Sequence, residues 1–257
     1  MHSKEPRPAG DTGSDTGPVV LPLSELKRRA WAQPTPPNGL GVLHSEHVTV
    51  IAEVDLARTD RGELAEQYEH CGAGIIAVPA DATSACLTEV SLRAEAPLLW
   101  MEPITTAYRL WHARVHGAGM VRIPVALVPD VALVSLVERA ASIGLTAVVE
   151  VRTSQDLLRA LRADAGVVLL RPPVQAEPEA ARAALHELLP MVPAHLLRIA
   201  ECGPAGRADL VACARIGVDA VLLESTLLAG DDPGATVAGL ASIGAHPALS
   251  RRRKQPI

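Results

Sequence analysis

From residue 48 onward the chain alternates between short apolar runs and longer amphipathic stretches. Runs such as Ile75-Ile76-Ala77-Val78 and Val167-Val168-Leu169-Leu170 have no polar residue at alternate positions, which marks strands buried on both faces. The stretches between them place apolar residues every three to four positions, the helical period. The pattern predicts strands over 48–54, 73–79, 97–101, 118–125, 145–151, 165–170, 196–201 and 219–224. It predicts helices over 61–71, 84–94, 104–116, 130–142, 154–163, 178–189, 206–216 and 233–242. Gly72, Gly117, Gly144 and Gly217 fall where each helix would end before the next strand, as a left-handed helix terminus requires. Asp130 and Ser154 stand near helix starts.

Eight such units in about 200 residues predict an α/β fold, a (β/α)8 TIM barrel. The alternative, a doubly wound open sheet, usually carries a Gly-rich first turn. The segment Asp55-Leu56-Ala57-Arg58-Thr59-Asp60 is not one. Residues 1–47 read as a flexible N-terminal lead with one short helix over Leu21–Trp31, Ser24 its N-cap, broken by Pro34-Thr35-Pro36-Pro37-Asn38-Gly39. Residues 48–245 form the barrel, and 246–257 a basic C-terminal tail holding Arg251-Arg252-Arg253-Lys254.

Composition narrows this further. Of 257 residues, 48% are hydrophobic but only 2% aromatic, with no Phe, so the core is aliphatic. The net charge of -5 and the scattered acids leave no basic stripe for nucleic acid. The four cysteines, Cys71, Cys86, Cys202 and Cys213, form no C-x-x-C pair, so no zinc or other metal site is expected. No apolar run is long enough to span a membrane, and residues 1–18 lack a signal-peptide core. A cytoplasmic protein without a cofactor is the expectation.

Candidate chemistry comes from carboxylates. Glu53, Glu150 and Glu201 each end an apolar run, an expensive position for a charge unless something uses it. In a barrel these strand ends share one mouth. Asp55, Glu102 and Glu224 lie at neighbouring strand ends, so the mouth is crowded with acids. They cannot all stay ionised in a dry pocket unaided. An open hydrated site, a bound divalent cation or amine, or pairing with Arg58, Arg122 and Arg171 would each relieve them. Cys202, with no histidine placed near it in sequence, reads as an inert thiol. Trp100 and Trp111 read as packing residues. His112 and His116, four apart on one helix, read as a solvated face rather than a metal site.

Several segments resemble the indole-3-glycerol-phosphate synthase family. These are Val50-Ile51-Ala52-Glu53-Val54, the run from Gly144 to Val151, Ala200-Glu201-Cys202-Gly203, and Gly217-Val218-Asp219-Ala220-Val221-Leu222-Leu223-Glu224-Ser225. The likeness runs from about residue 48 to residue 240. It implies a barrel of tryptophan biosynthesis that closes an indole ring on a phosphorylated anthranilate derivative, with loss of carbon dioxide and water. It further implies Glu53, Glu150 and Glu201 as catalytic residues, and Arg58, Arg171, Gly203 and Ser225 as contacts to the substrate and its phosphate.

The departures from that family pattern are pointed. The family has a lysine where this chain has Asp55, and another where it has Met101; only Lys4, Lys27 and Lys254 exist in the whole chain. Glu224 replaces the phosphate-binding glycine, and Leu169-Leu170-Arg171 keeps only the arginine of an Asn-Asn-Arg run. Loss of one positioned general acid costs roughly 10²–10⁴-fold in rate. The expected activity is therefore impaired or altered. The alternative is a non-catalytic paralogue binding a related ligand or a partner, such as a tryptophan-pathway enzyme.

Overall fold

The structure, a computed structural model, describes residues 21–173, 176–201, 203 and 206–249. The lead before residue 21, the basic tail from residue 250 and Cys202 lie outside the described residues. Eight parallel strands close a barrel in sequence order: β1 Thr49–Glu53, β2 Ile75–Val78, β3 Leu98–Trp100, β4 Met120–Pro124, β5 Thr146–Val151, β6 Val167–Leu170, β7 Leu197–Glu201 and β8 Ala220–Leu223. β8 pairs back onto β1 through Val50 and Val221. Ten α-helices are described: α1 Leu23–Ala32, α2 Gly39–Leu43, α3 Arg61–His70, α4 Ser84–Ser91, α5 Ala107–Val115, α6 Asp130–Ser142, α7 Ser154–Arg162, α8 Pro178–Leu188, α9 Arg207–Ile216 and α10 Pro233–Gly244. The last eight follow the strands one for one, as the TIM barrel expected from the pattern requires.

Gly72, Gly117, Gly144 and Gly217 all adopt positive φ, between 78° and 97°, closing helices as anticipated. Asp164 does the same work after α7 with φ 54°, at a position no glycine marks. Thr153, just before Ser154, caps α7 by accepting a hydrogen bond from the Asp156 amide. The expected Ser24 cap is absent: α1 starts two residues earlier than that cap would place it, behind Pro22, with no side-chain cap.

The strand pleat sorts residues into two sets. Odd positions of β1 and β7, and even positions of β4, β5 and β8, point inward and fill the barrel with an aliphatic cluster. It includes Ile51, Leu99, Met101, Met120, Val148, Leu169, Ile199 and Leu222. The second, larger cluster packs the outer strand faces against the helices.

The segment before the barrel is more structured than its composition suggested. Beyond the prolines lies the second helix, α2, capped by the Asn38 side chain on the Gly41 amide. Its Leu43, fully buried, joins the interior cluster and closes the bottom of the barrel. Two glycines in five residues hid this turn from a propensity argument. Gly39 is required there: a Cβ would stand 2.4 Å from the Met120 sulfur. Helix α1 docks on α5 through Trp31 and Trp111, ring centroids 5.8 Å apart, with Lys27 Nζ 5.7 Å from the Trp111 ring.

His112 and His116 do not form a solvated face. Both are half-buried; their rings lie 4.6 Å apart, and His112 lies 5.7 Å from Trp100. His116 Nδ1 is 2.8 Å from the Thr88 hydroxyl on α4. Trp100 and Trp111 are buried packing residues, as expected.

Candidate active site

The side chains just above the interior cluster continue its alternation. Two residues past Ile51 comes Glu53, past Leu99 comes Met101, past Met120 comes Arg122, and past Val148 comes Glu150. Likewise Arg171 follows Leu169, Glu201 follows Ile199, and Glu224 follows Leu222. The pleat thus sets a ring of charged residues at the C-terminal mouth, interrupted at β2, where Pro79 follows Ala77, and at β3 by an apolar methionine.

Glu150 is the most enclosed, with a side chain only 5% exposed. Arg122 Nη1 donates to its Oε2 at 2.5 Å, and Arg152 Nε to its Oε1 at 2.8 Å. Arg171 Nη1 approaches Oε2 at 3.8 Å. Burial opposes the charge on Glu150, but the guanidinium groups of Arg122, Arg152 and Arg171 together outweigh it and hold the carboxyl below its ordinary range. Arg122 Nε also donates to the Met101 carbonyl at 2.5 Å, tying β4 to the end of β3.

Arg171 bridges two further acids, through Nε to Glu201 and through Nη2 to Glu224 Oε1 at 2.7 Å. Burial pushes the Glu201 carboxyl up, and the Arg171 charge does not fully offset it. Glu53 accepts the backbone N–H of Ser225 at 3.1 Å. Burial raises its carboxyl too, with the charge of Glu224 adding to the effect and the Ser225 amide opposing it. Of the outlying acids, Asp55 accepts from the Ala57 amide in a local turn, and Glu102 pairs with Arg109.

Arginine pairing is therefore how this mouth relieves its crowded acids. Arg122 and Arg171 supply it as anticipated; Arg58 pairs with Asp60 instead, at 2.5 Å. No group of three or more His, Cys, Asp or Glu is placed to share a metal ion among the described residues. Arg152 was not anticipated from the sequence, although the two-residue step Glu150-Val151-Arg152 carries the signal.

Beside Glu201 and Glu224 a cavity of about 480 Å³ opens between α8 and α9. Its lining includes Gly203, Arg182, Asp209, Cys213 and Leu227. Gly203 lies tight against Asp209, where a Cβ would meet the carboxylate Oδ2 at 2.5 Å, and Arg182 Nε donates to Asp209 Oδ1 at 3.0 Å. Burial pushes the Cys213 thiol up to about 11, so it is an inert wall.

Comparison with known proteins places this chain in a lineage. The family model for indole-3-glycerol phosphate synthase matches residues 49–240, which is the barrel from β1 into α10. The chain belongs to the indole-3-glycerol phosphate synthase family. Whole-chain relatives agree. A protein of Streptomyces griseus subsp. griseus named indole-3-glycerol phosphate synthase is 38% identical over 90% of this chain and 91% of its own. One of Kineococcus radiotolerans with the same name is 39% identical over 91% of this chain and 93% of its own. The fold is shared more widely. A 3-hexulose-6-phosphate synthase from Salmonella typhimurium superposes with a TM-score of 0.66 at 13% identity, covering 76% of this chain and 98% of that one. Family membership makes the chain a tryptophan-biosynthesis barrel by descent. No described helix is long and apolar enough to cross a membrane.

Proposed function

We propose that the mouth binds an anthranilate-derived aromatic ligand and carries an altered, slower form of the family's ring closure. The observation behind this reading is the division of labour among three glutamates. Glu53 and Glu201 are buried with raised carboxyls, whereas Glu150 is held ionised by arginine. A raised carboxyl is better suited to giving a proton than an ordinary one, and an ionised one to stabilising positive charge or accepting a proton. In this reading Glu53 protonates the carbonyl under attack by the aromatic carbon, and carbon dioxide and then water leave. Glu150 stabilises the cationic ring system, and Glu201 assists through Arg171.

Asp55 and Met101 stand where the family pattern has lysines, so the rate falls well below the family's. The decisive experiment follows indole-product fluorescence from the carboxyphenylamino-deoxyribulose substrate, supplied with and without its terminal phosphate. Wild type should exceed Glu53→Gln by roughly 10²-fold or more. Equal rates for the two proteins would sink the enzymatic reading. A second reading, a non-catalytic binding barrel, is favoured by Met101, a residue only 3% exposed that belongs to the apolar interior cluster. Ligand binding without turnover would establish it.

A further inference from the structure

We propose that Arg152 is a positioning residue of this mouth: it fixes the orientation of the Glu150 carboxylate and, with the same guanidinium, the chain segment that carries Arg171. The proposal deepens the reading of Glu150 as the charge that faces the cationic ring system, and rests on it.

The base of this side chain is fixed by local sequence. Arg152 stands two residues past Glu150, so the strand period, carried one step beyond β5, turns both to the same side. Its backbone is tied to the start of α7. The Arg152 N–H donates to Asp156 Oδ2 at 3.2 Å, and the Asp156 N–H donates to Thr153 Oγ1 at 3.1 Å. This is the reciprocal bonding of a helix capping box, with the return bond shifted by one residue. A helix end, not a free loop, therefore sets where the Arg152 side chain begins.

The tip is defined by two acceptors. Nε donates to Glu150 Oε1 at 2.8 Å and Nη1 to the Pro172 carbonyl at 2.5 Å. A guanidinium is planar, so acceptors on two different segments fix its plane. Arg122 Nη1 donates to the other Glu150 oxygen, Oε2, at 2.5 Å. The carboxylate is thus held from both ends, and turning it would break two charge-assisted bonds at once.

Pro172 follows Arg171, whose own N–H donates to the Val151 carbonyl at 3.1 Å. Arg152 continues the β5–β6 pairing one step beyond the strands, with a side chain in place of a backbone donor. From this braced segment Arg171 reaches Glu201 and Glu224. One residue therefore links the acid that is held ionised to the arginine that serves two others. Charge agrees with this geometry. Burial opposes the Glu150 charge, and Arg122, Arg152 and Arg171 outweigh it; the Arg152 charge also works against burial at Glu201. Arg152 acts through Glu150 and Arg171 rather than on the ligand.

The test reads the Glu150 carboxyl carbon by NMR in protein carrying isotope-labelled glutamate, assigned with Glu150→Gln, and indole formation in parallel. The proteins are wild type, Arg152→Met, Arg152→Lys and Arg159→Met. Arg159 braces the loop after β4 through the Val125 and Val128 carbonyls and pairs with Asp130, so its variant reports a purely structural loss. Arg152→Met should raise the Glu150 titration midpoint by about one pH unit, the effect of one neighbouring charge. It should lower kcat by about 10–100-fold with KM little changed, the cost of a misplaced group. Arg152→Lys keeps the charge without the planar fork; it should restore the midpoint and only part of kcat. Arg159→Met should change neither.

A folded Arg152→Met with the wild-type Glu150 titration, or with wild-type kcat, overturns the proposal and leaves the proposed function standing. An equal change in Arg159→Met overturns it too. If Arg152→Met does not fold, wild-type kcat in Arg152→Lys overturns it instead. Wild type that forms no indole overturns the proposed function, and the titration alone then decides whether Arg152 holds Glu150.

Discussion

Arg122 reaches from β4 to place its Nη1 2.5 Å from Glu150 Oε2 on β5, joining adjacent strands by a buried ion pair. The same guanidinium holds the Met101 carbonyl, so one side chain fastens three consecutive strand ends. Removing one member of a buried pair costs about 3–5 kcal/mol when the other is left uncompensated; Arg152 and Arg171 keep part of the Glu150 charge paired, so the loss should fall below that range. Arg122→Met should show that loss in urea unfolding. The double variant Arg122→Met/Glu150→Gln should recover part of it, because the stranded charge is then gone.

Glu53 makes stability depend on pH in a distinctive direction. Its folded carboxyl lies above the ordinary value of 4.5, raised first by burial. The folded state therefore holds the proton more tightly, and the stabilisation is full below that ordinary value and lost as pH rises through the folded one. Glu53→Gln should flatten the melting temperature across this window. It should leave the variant more stable than wild type at pH 8, by about 2–4 °C for each kcal/mol removed.

The two histidines of α5 act oppositely. Burial lowers both below the ordinary 6.5; Arg109 adds to the effect at His112, and His112 and Arg29 add to it at His116. The unfolded chain then binds protons more readily, so stability falls as pH drops from about 6.5 toward the folded values. The melting temperature of wild type should decline there, and that of His116→Gln should decline less. Equal slopes would remove His116 from the account.

Restoring a lysine at the end of β3 should fail on its own. Met101→Lys would bury an ammonium in the aliphatic interior beside Arg122, whose Nε already holds the residue-101 carbonyl. Lower stability and no gain in indole formation are expected. Combined with Arg122→Leu and Asp55→Lys, which clear the competing cation and place a second lysine, the substitution should raise indole formation by roughly 10²–10⁴-fold.

The floor of the barrel gives a prediction with no chemistry in it. Leu43 is fully buried against the lowest layer of interior side chains. Leu43→Ala should cost about 2–5 kcal/mol in urea unfolding. Ligand binding at the opposite end should be unchanged.

The strand order and the inward glutamates were readable because a strand's period is two and a barrel has one mouth. Arg122, Arg171 and Glu224 obey the same rule as Glu150. Which arginine serves which acid was not readable, since Arg171 meets partners 30 and 53 residues away through barrel closure rather than local spacing. Arg152 was missed because it lies one step beyond the apolar run, where strand and loop look alike. Helix α2 was missed because its glycines signal a break, while the reason for one of them, the Met120 sulfur, is a tertiary fact.

The aromatic residues are few and all lie early in the chain: Trp31, Tyr68, Trp100, Tyr108 and Trp111, with none after that. Four of them gather around α1, α5 and the end of β3, while Tyr68 is buried on α3. The molecule is therefore optically one-sided. Intrinsic fluorescence will report whether α1 stays seated on α5, and can change while β5 to β8 remain intact. The sector holding Glu150, Arg171, Glu201 and Glu224 has no chromophore of its own. An indole-bearing ligand arriving there would be seen against a dark background.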